Sequence, residues 1–259
     1  MPRYALAVVG GTFDHLHRGH EALLRTAFAL GRTVAIGVTT DAYLAAHPKP
    51  AAPRLQPYRR RRAAVARWVA RRFPGRPVRI VPLADRFGGS LAPEVGVLIV
   101  SAETAEGGRA VNRERARLGR RPVPVAVVPI VLADDLRPVS SRRIRAGEID
   151  PSGRRTAPLP VAIAAPDVRS RRWVARAVRT AFPPARVRHA ADPGRGELAA
   201  PKGGLAVEVR TGADGRWSVR LRSAEVRLDP ARLPGRSERE RERALGAVLR
   251  PAAARAGRI

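Results

Sequence analysis

An apolar run from Tyr4 to Val9 ends on Gly10-Gly11 and gives way, a few residues later, to a segment with helical spacing. This handover constrains the chain more than any other feature. A buried strand that turns through glycines into a helix brings backbone close to an anion, because glycine has no side chain to hold a ligand off. The helix start then adds unpaired N–H groups and positive potential. From Gly19 to Leu30, apolar Leu23, Leu24, Ala27, Phe28 and Leu30 fit a helix that Gly31 can close. Further buried strands are expected at 33–38, 78–83, 95–100 and 123–131, the last despite Pro124 and Pro129. Helices are expected at 58–73, with Ala64, Val65, Trp68 and Val69 on one side, at 104–118, and at 140–146 with Ser140 or Ser141 as N-cap. The stretch 42–57, rich in Pro and Ala, has no clean period and reads as a loop. Strands alternating with helices specify an α/β fold, a Rossmann-like parallel five-stranded sheet with helices on both faces.

A Pro-, Gly- and Ser-rich linker at 150–160 divides the chain into a domain at 1–153 and a smaller C-terminal α+β domain at 160–250. The second domain reads as a strand at 161–165, a basic helix at 170–182 and a loop. A hairpin of 206–210 and 217–222, a charged helix at 237–249 and a frayed tail from Pro251 complete it.

The charge balance is extreme: 50 Lys+Arg against 22 Asp+Glu, a formal net charge of +28. Taken alone it suggests a polyanionic partner. Yet only Lys49 and Lys202 are lysines, and the arginines are scattered through both halves, as GC-rich coding would produce. Nucleic-acid binding is therefore not taken as the main role, and the basic run Arg59–Arg62 reads as a solvated helix face. Where Arg has replaced Lys nearly everywhere, a surviving Lys is a candidate for a role that Arg cannot fill, chance survival being the alternative. There is no Cys and no run of ~18 apolar residues, so disulfides and a spanning helix are not expected. With no signal-type segment at the N-terminus, the expected location is cytoplasmic.

Three of the five histidines fall in Gly10-Gly11-Thr12-Phe13-Asp14-His15-Leu16-His17-Arg18-Gly19-His20, at the strand-to-helix handover. His17 and His20 flank Gly19, so both imidazoles can face one bound group. No Cys or carboxylate cluster of ligand spacing accompanies them, so no protein metal site is expected.

The segment resembles the HxGH nucleotidyltransferase superfamily, with His17-Arg18-Gly19-His20 as the signature. More narrowly, residues 3–153 are similar in collinear order to the archaeal-type phosphopantetheine adenylyltransferases. The similarity is carried by Val9 to His20, Thr39-Thr40-Asp41, Val100 to Thr104, Val128 to Asp135 and Val139 to Asp150. It implies transfer of AMP from ATP to 4′-phosphopantetheine, giving dephospho-CoA and pyrophosphate in coenzyme A biosynthesis. It implies ATP and 4′-phosphopantetheine as partners and Mg²⁺ arriving with ATP.

It also implies site residues. Thr12, His17, His20 and Lys49 would act on the reacting phosphates. Gly10, Gly11, Phe13, Arg115, Ser140, Ser141, Arg142 and Arg143 would join Thr12 and His20 in binding ATP. Where the family tends to carry Pro-Thr after the third strand, this chain has Gly88-Gly89-Ser90. Val161 to Phe182 faintly resembles the opening of the non-canonical purine NTPase family, without its phosphate-gripping and acidic residues. Two other readings stay open. One is a related HxGH transferase with another acceptor (nicotinamide or flavin mononucleotide, or a CTP-dependent alcohol-phosphate transferase). The other is a nucleic-acid-binding protein on an inactive scaffold. Oligomeric state is not legible.

Overall fold

The structure, a computed structural model, describes residues 2–47, 55–182, 185–190, 198–201, 203–212, 214, 216–223, 231–234 and 237–255. The chain divides into two compact units, Met1–Val131 with Ser140–Ala146, and Leu132–Val139 with Gly147–Ile259.

The first unit is built on β1 (Tyr4–Gly11), β2 (Gly31–Thr39), β3 (Val78–Leu83), β4 (Val97–Ser101) and β5 (Val125–Val128), joined chiefly by α1 (Arg18–Leu30), α2 (Asp41–Ala46), α3 (Tyr58–Arg72) and α4 (Ala105–Arg117). All pairings are parallel, in the order β3-β2-β1-β4-β5. Neighbouring residues Val97, Leu98 and Ile99 are all buried, so both faces of β4 are covered, as a parallel sheet requires. The chain works outward from β1 through β2 to β3, then crosses back to place β4 on the other side of β1. That reversal opens a crevice at the carboxyl ends of β1 and β4, where Gly10-Gly11 and Ser101 lie.

Several expectations are corrected. The loop expected at 42–57 begins with α2, whose N-cap Thr40 accepts from Tyr43 N–H at 3.2 Å. This short helix buries none of its residues, so it leaves no hydrophobic period. On α3, Val65, Trp68 and Val69 are buried as expected, but so is Arg61, at 0% exposure. The basic run is therefore not a uniformly solvated face. β5 is shorter than the expected strand and lies between Pro124 and Pro129. Gly31 does end α1, through extended backbone at φ −102° rather than a left-handed cap. Its glycine is demanded by close approach: an added Cβ would lie 2.6 Å from Ala7 Cβ and 2.7 Å from Thr33 O. Among the described residues no helix is long and apolar enough to cross a membrane.

The first unit's second stretch, Ser140–Ala146, forms α5 (Ser141–Arg145), with Ser140 as its N-cap. The second unit holds β6 (Leu159–Ala164), α6 (Val168–Ala181), β7 (Ala185–His189), β8 (Leu205–Thr211), β9 (Trp217–Ser223), β10 (Ala231–Leu233) and α7 (Glu238–Arg255). Its sheet runs β10-β9-β8-β6-β7; β6 is parallel to β7 and β8, and the other pairs are antiparallel. The edge strands β7 and β10 were not expected. β7 alternates Arg with smaller residues and β10 is three residues long, so neither carries a strong apolar run. α7 continues through Pro251 to Arg255, where a frayed tail was expected. The core of this unit includes Leu159, Val161, Trp173, Val207 and Leu245, together with Leu136. Acidic residues here have partners within the unit. Asp167 caps α6 by accepting from Ser170 N–H and Oγ–H, Glu208 pairs with Arg210, and Asp135 pairs with Arg155 at 2.9 Å.

Gly31→Ala should lower the stability of the first unit by about 1–3 kcal/mol through overpacking against β1. Urea unfolding would measure it, and an unchanged midpoint would contradict the steric account.

Candidate active site

The loop from Gly11 to His17 leaves β1 and enters α1 through two non-glycine residues at positive φ, Phe13 at 53° and His15 at 44°. L side chains are strained there, and such strain persists only where surrounding contacts over-determine it. Those contacts are numerous. Thr39 Oγ1 donates to the Gly11 carbonyl at 3.0 Å, Arg61 Nη1 to the Thr12 carbonyl at 2.7 Å, and Ser141 Oγ to the Asp14 carbonyl at 2.7 Å. Three negative carbonyl ends are thus taken up by protein donors, and that charge is not left facing the space before the loop.

Asp14 is 1% exposed and ties three segments together. Its Oδ1 accepts from Gln56 N–H at 2.9 Å, and its Oδ2 is ion-paired with Arg145 of α5. Gln56 returns a contact by accepting from His15 N–H through its side-chain oxygen at 3.1 Å. The ring of Phe13 is fully buried and lies 5.2 Å from that of His20. Phe13 therefore offers a ligand its backbone, not its ring. At Gly10 an added Cβ would meet only Leu83, at 3.4 Å. The protein itself leaves room there, and close approach of a ligand remains a sufficient reason for glycine.

His17 and His20 come together as a stacked pair, centroids 3.8 Å apart and planes 24° from parallel. His17 is the N-cap of α1, its Nδ1 accepting from Gly19 N–H at 3.2 Å. Burial lowers its pKa from 6.5 to about 4, with the Asp14 charge opposing and His15 adding to the decrease. His17 is accordingly neutral near pH 7. Because Nδ1 accepts, the ring proton sits on Nε2, leaving a neutral N–H donor beside the helix start.

The expected residues separate on the structure. Gly10, Gly11, Thr12, Phe13, His17 and His20 share the loop and the start of α1. α5 reaches it through Ser141 and Arg145. Ser141 commits its only O–H to Asp14, so it docks α5 and cannot also donate to a phosphate. Ser140 accepts from Arg143 N–H at 3.4 Å, which leaves its own O–H to donate. Arg143 is 2% exposed and engaged within the fold, whereas Arg142 is exposed.

Arg115, expected at the ATP phosphates, is buried instead and braces backbone. Its Nε donates to Arg121 O, and its Nη1 to Ser90 O and Ala92 O. It thereby clamps the turn that follows Gly88-Gly89. Lys49 lies outside the described residues. Sequence reasoning passed over Asp14, Gln56, Arg61 and Arg145. Asp14 stood inside the quoted motif, but nothing local distinguishes a buried acid from an exposed one.

An open pocket of about 690 Å³ lies at the carboxyl ends of β2 and β3, lined by Thr40, Ala42, Tyr43, Ala46, His47, Ala84, Asp85 and Arg86. Thr40 follows the Thr39 that holds Gly11, so the pocket adjoins the loop. Among the described residues, no group of three or more His, Asp or Glu could hold a metal ion.

Residues 8–147 match the family model described as cytidylyltransferase-like, more than half of the chain. The chain belongs to the cytidylyltransferase-like family. Among curated relatives, a phosphopantetheine adenylyltransferase from Methanopyrus kandleri is 41% identical over 151 residues, covering 58% of this chain and 94% of that protein. Its counterpart from Pyrococcus horikoshii is 39% identical, covering 59% and 96%. A bifunctional phosphopantetheine adenylyltransferase/NTP phosphatase from Thermoplasma volcanium is 39% identical over 161 residues, 61% of this chain but only 47% of that longer protein.

Two outcomes follow. The depressed pKa of His17 means the unfolded state binds the proton first. Its contribution is fully present above pH 6.5 and is lost as pH falls through about 4, up to about 3 kcal/mol. His17→Asn keeps a capping side chain but cannot titrate. Urea unfolding at pH 7 and 4.5 should show about 2–3 kcal/mol less pH dependence in the variant than in the parent; equal slopes would refute the assignment. Asp14→Asn strands the Arg145 charge in a buried site and should cost about 3–5 kcal/mol, measured as a fall in the unfolding midpoint.

Proposed function

We propose that the chain is a phosphopantetheine adenylyltransferase, transferring AMP from ATP to 4′-phosphopantetheine. The observation that carries this is the His17–His20 pair on a phosphate-type loop at the sheet's reversal point, in a chain that is 41% identical over 151 residues and 39% identical over 155 residues to two curated enzymes of that name.

The acceptor phosphate is already a nucleophile, so the protein has little covalent chemistry to perform. Its oxygen attacks the α-phosphorus of ATP; the new P–O bond forms as the bond to the β-phosphate breaks, and pyrophosphate leaves with the electron pair. Rate enhancement then comes from alignment and from charge stabilisation. Thr12 would donate between the acceptor phosphate and the α-phosphate. The neutral Nε2–H of His17 and the imidazole of His20 would hold the α/β-phosphates, backed by the N-terminus of α1. Ser140 and the exposed Arg142 would meet the departing pyrophosphate. Lys49 would add charge to the same phosphates. The pocket beside Thr40 is of a size to receive the acceptor's pantetheine arm. Mg²⁺ would come with ATP, held by phosphate oxygens and drawing off their charge; the donor set of the described residues fits that arrangement better than a dedicated cage. We propose this chemistry for residues 1–153, and 160–250 as an accessory domain.

Pyrophosphate release by the full chain, with ATP and 4′-phosphopantetheine, tests the reading. Turnover should depend on that acceptor and fall at least about 100-fold in His20→Ala, the size of loss seen when a transition-state donor is removed. Turnover only with nicotinamide or flavin mononucleotide, or with CTP and an alcohol phosphate, would move the chain to a sister transferase. Salt-sensitive oligonucleotide binding without any turnover would favour the inactive-scaffold reading.

A further inference from the structure

Arg61 lies on α3, outside the glycine loop and the starts of α1 and α5, and yet its side chain is entirely buried. Nη1 donates to the Thr12 carbonyl at 2.7 Å, Nε to the Gln56 carbonyl at 2.8 Å, and Nη2 to Asp41 Oδ1 at 2.7 Å. Asp41 in turn accepts from Tyr58 N–H, the first residue of α3, at 2.9 Å on each carboxyl oxygen. Burial acts to raise the Asp41 pKa, but the Tyr58 N–H and the Arg61 guanidinium outweigh it, and the carboxyl titrates below its usual range. One planar guanidinium thus joins the segment entering α2, the segment entering α3 and the residue whose hydroxyl is assigned to the reacting phosphates.

We propose that Arg61 is a positioning residue for adenylyl transfer, fixing the main chain of Thr12 so that its hydroxyl is held at the reacting phosphates. The inference rests on the functional reading above. The chemistry calls for a fork: three acceptors on three segments need donors spread in a plane, which the guanidinium supplies and a point-charge ammonium does not. A small displacement of Thr12 matters because the transfer depends on alignment. The carbonyl that Arg61 holds belongs to Thr12 itself, next to Phe13 at φ 53°, so the contact also helps retain a strained turn.

Arg61→Lys keeps the positive charge and removes the fork, which separates positioning from simple electrostatics. In the full chain, kcat for pyrophosphate release should fall about 10- to 100-fold, while KM for ATP changes less than about 3-fold. The effect should also be non-additive with Thr12→Ala: the double variant should turn over no more slowly than Thr12→Ala alone. Asp41→Asn alters a carboxylate that is 56% exposed and leaves Arg61 in place. It should give the same kcat-selective loss, several-fold in size, and it carries the test if Arg61→Lys does not fold. Either of two results would overturn the inference: kcat within 2-fold of the parent in the folded variants, or losses that multiply with Thr12→Ala. Absence of turnover in the parent would instead refute the functional reading on which the inference stands.

Discussion

A single buried carboxylate holds the candidate site in register. Asp14 bonds to Gln56 ahead of α3, to Arg145 on α5, and through its own carbonyl to Ser141. Segments far apart in sequence therefore converge on one residue of a loop that is itself strained. A carboxylate out of water is costly unless its oxygens are paired and bonded, and here both are. The same condition makes the arrangement cooperative: moving any of these segments leaves a charge or a polar group buried without its partner.

That cooperativity bears on how the proposed site would handle phosphate. The loop's carbonyls at Gly11, Thr12 and Asp14 are turned to donors from β2, α3 and α5. His17 is held neutral by burial, with its acceptor nitrogen used as a helix cap. The positive potential of the helix start and the neutral donor of His17 are thus preset by the fold. In the proposed reaction little reorganisation would then be required as charge shifts, which is the physical basis of electrostatic preorganisation.

The arginines show why net charge is a poor guide in this chain. Arg61, Arg115 and Arg143 are as buried as core leucines, and Arg61 and Arg115 fix backbone carbonyls at 12, 56, 90, 92 and 121. These cations serve the tertiary fold as multi-donor braces. In the sequence they look the same as their solvated neighbours, because burial of a charged side chain depends on partners that arrive from elsewhere in the chain.

The parallel sheet was legible from the alternation of apolar runs with helical spacing, and the strand-to-helix loop of the candidate site from glycines and histidines clustered at one strand end. Both signals are local: hydrophobic period and residue type within a few positions. Short or weakly apolar elements (α2, β7, β10) escaped, since they bury too little to leave a period. The sequence by itself determined the fold class, the loop, and the grouping of Thr12, His17 and His20. Only the tertiary structure decided that Ser141 docks α5, that Arg115 braces a turn, and that Asp14 and Arg61 hold the loop's shape. Those roles depend on which donor meets which acceptor across tens of residues, and hydrogen bonds over such separations leave no trace in local spacing.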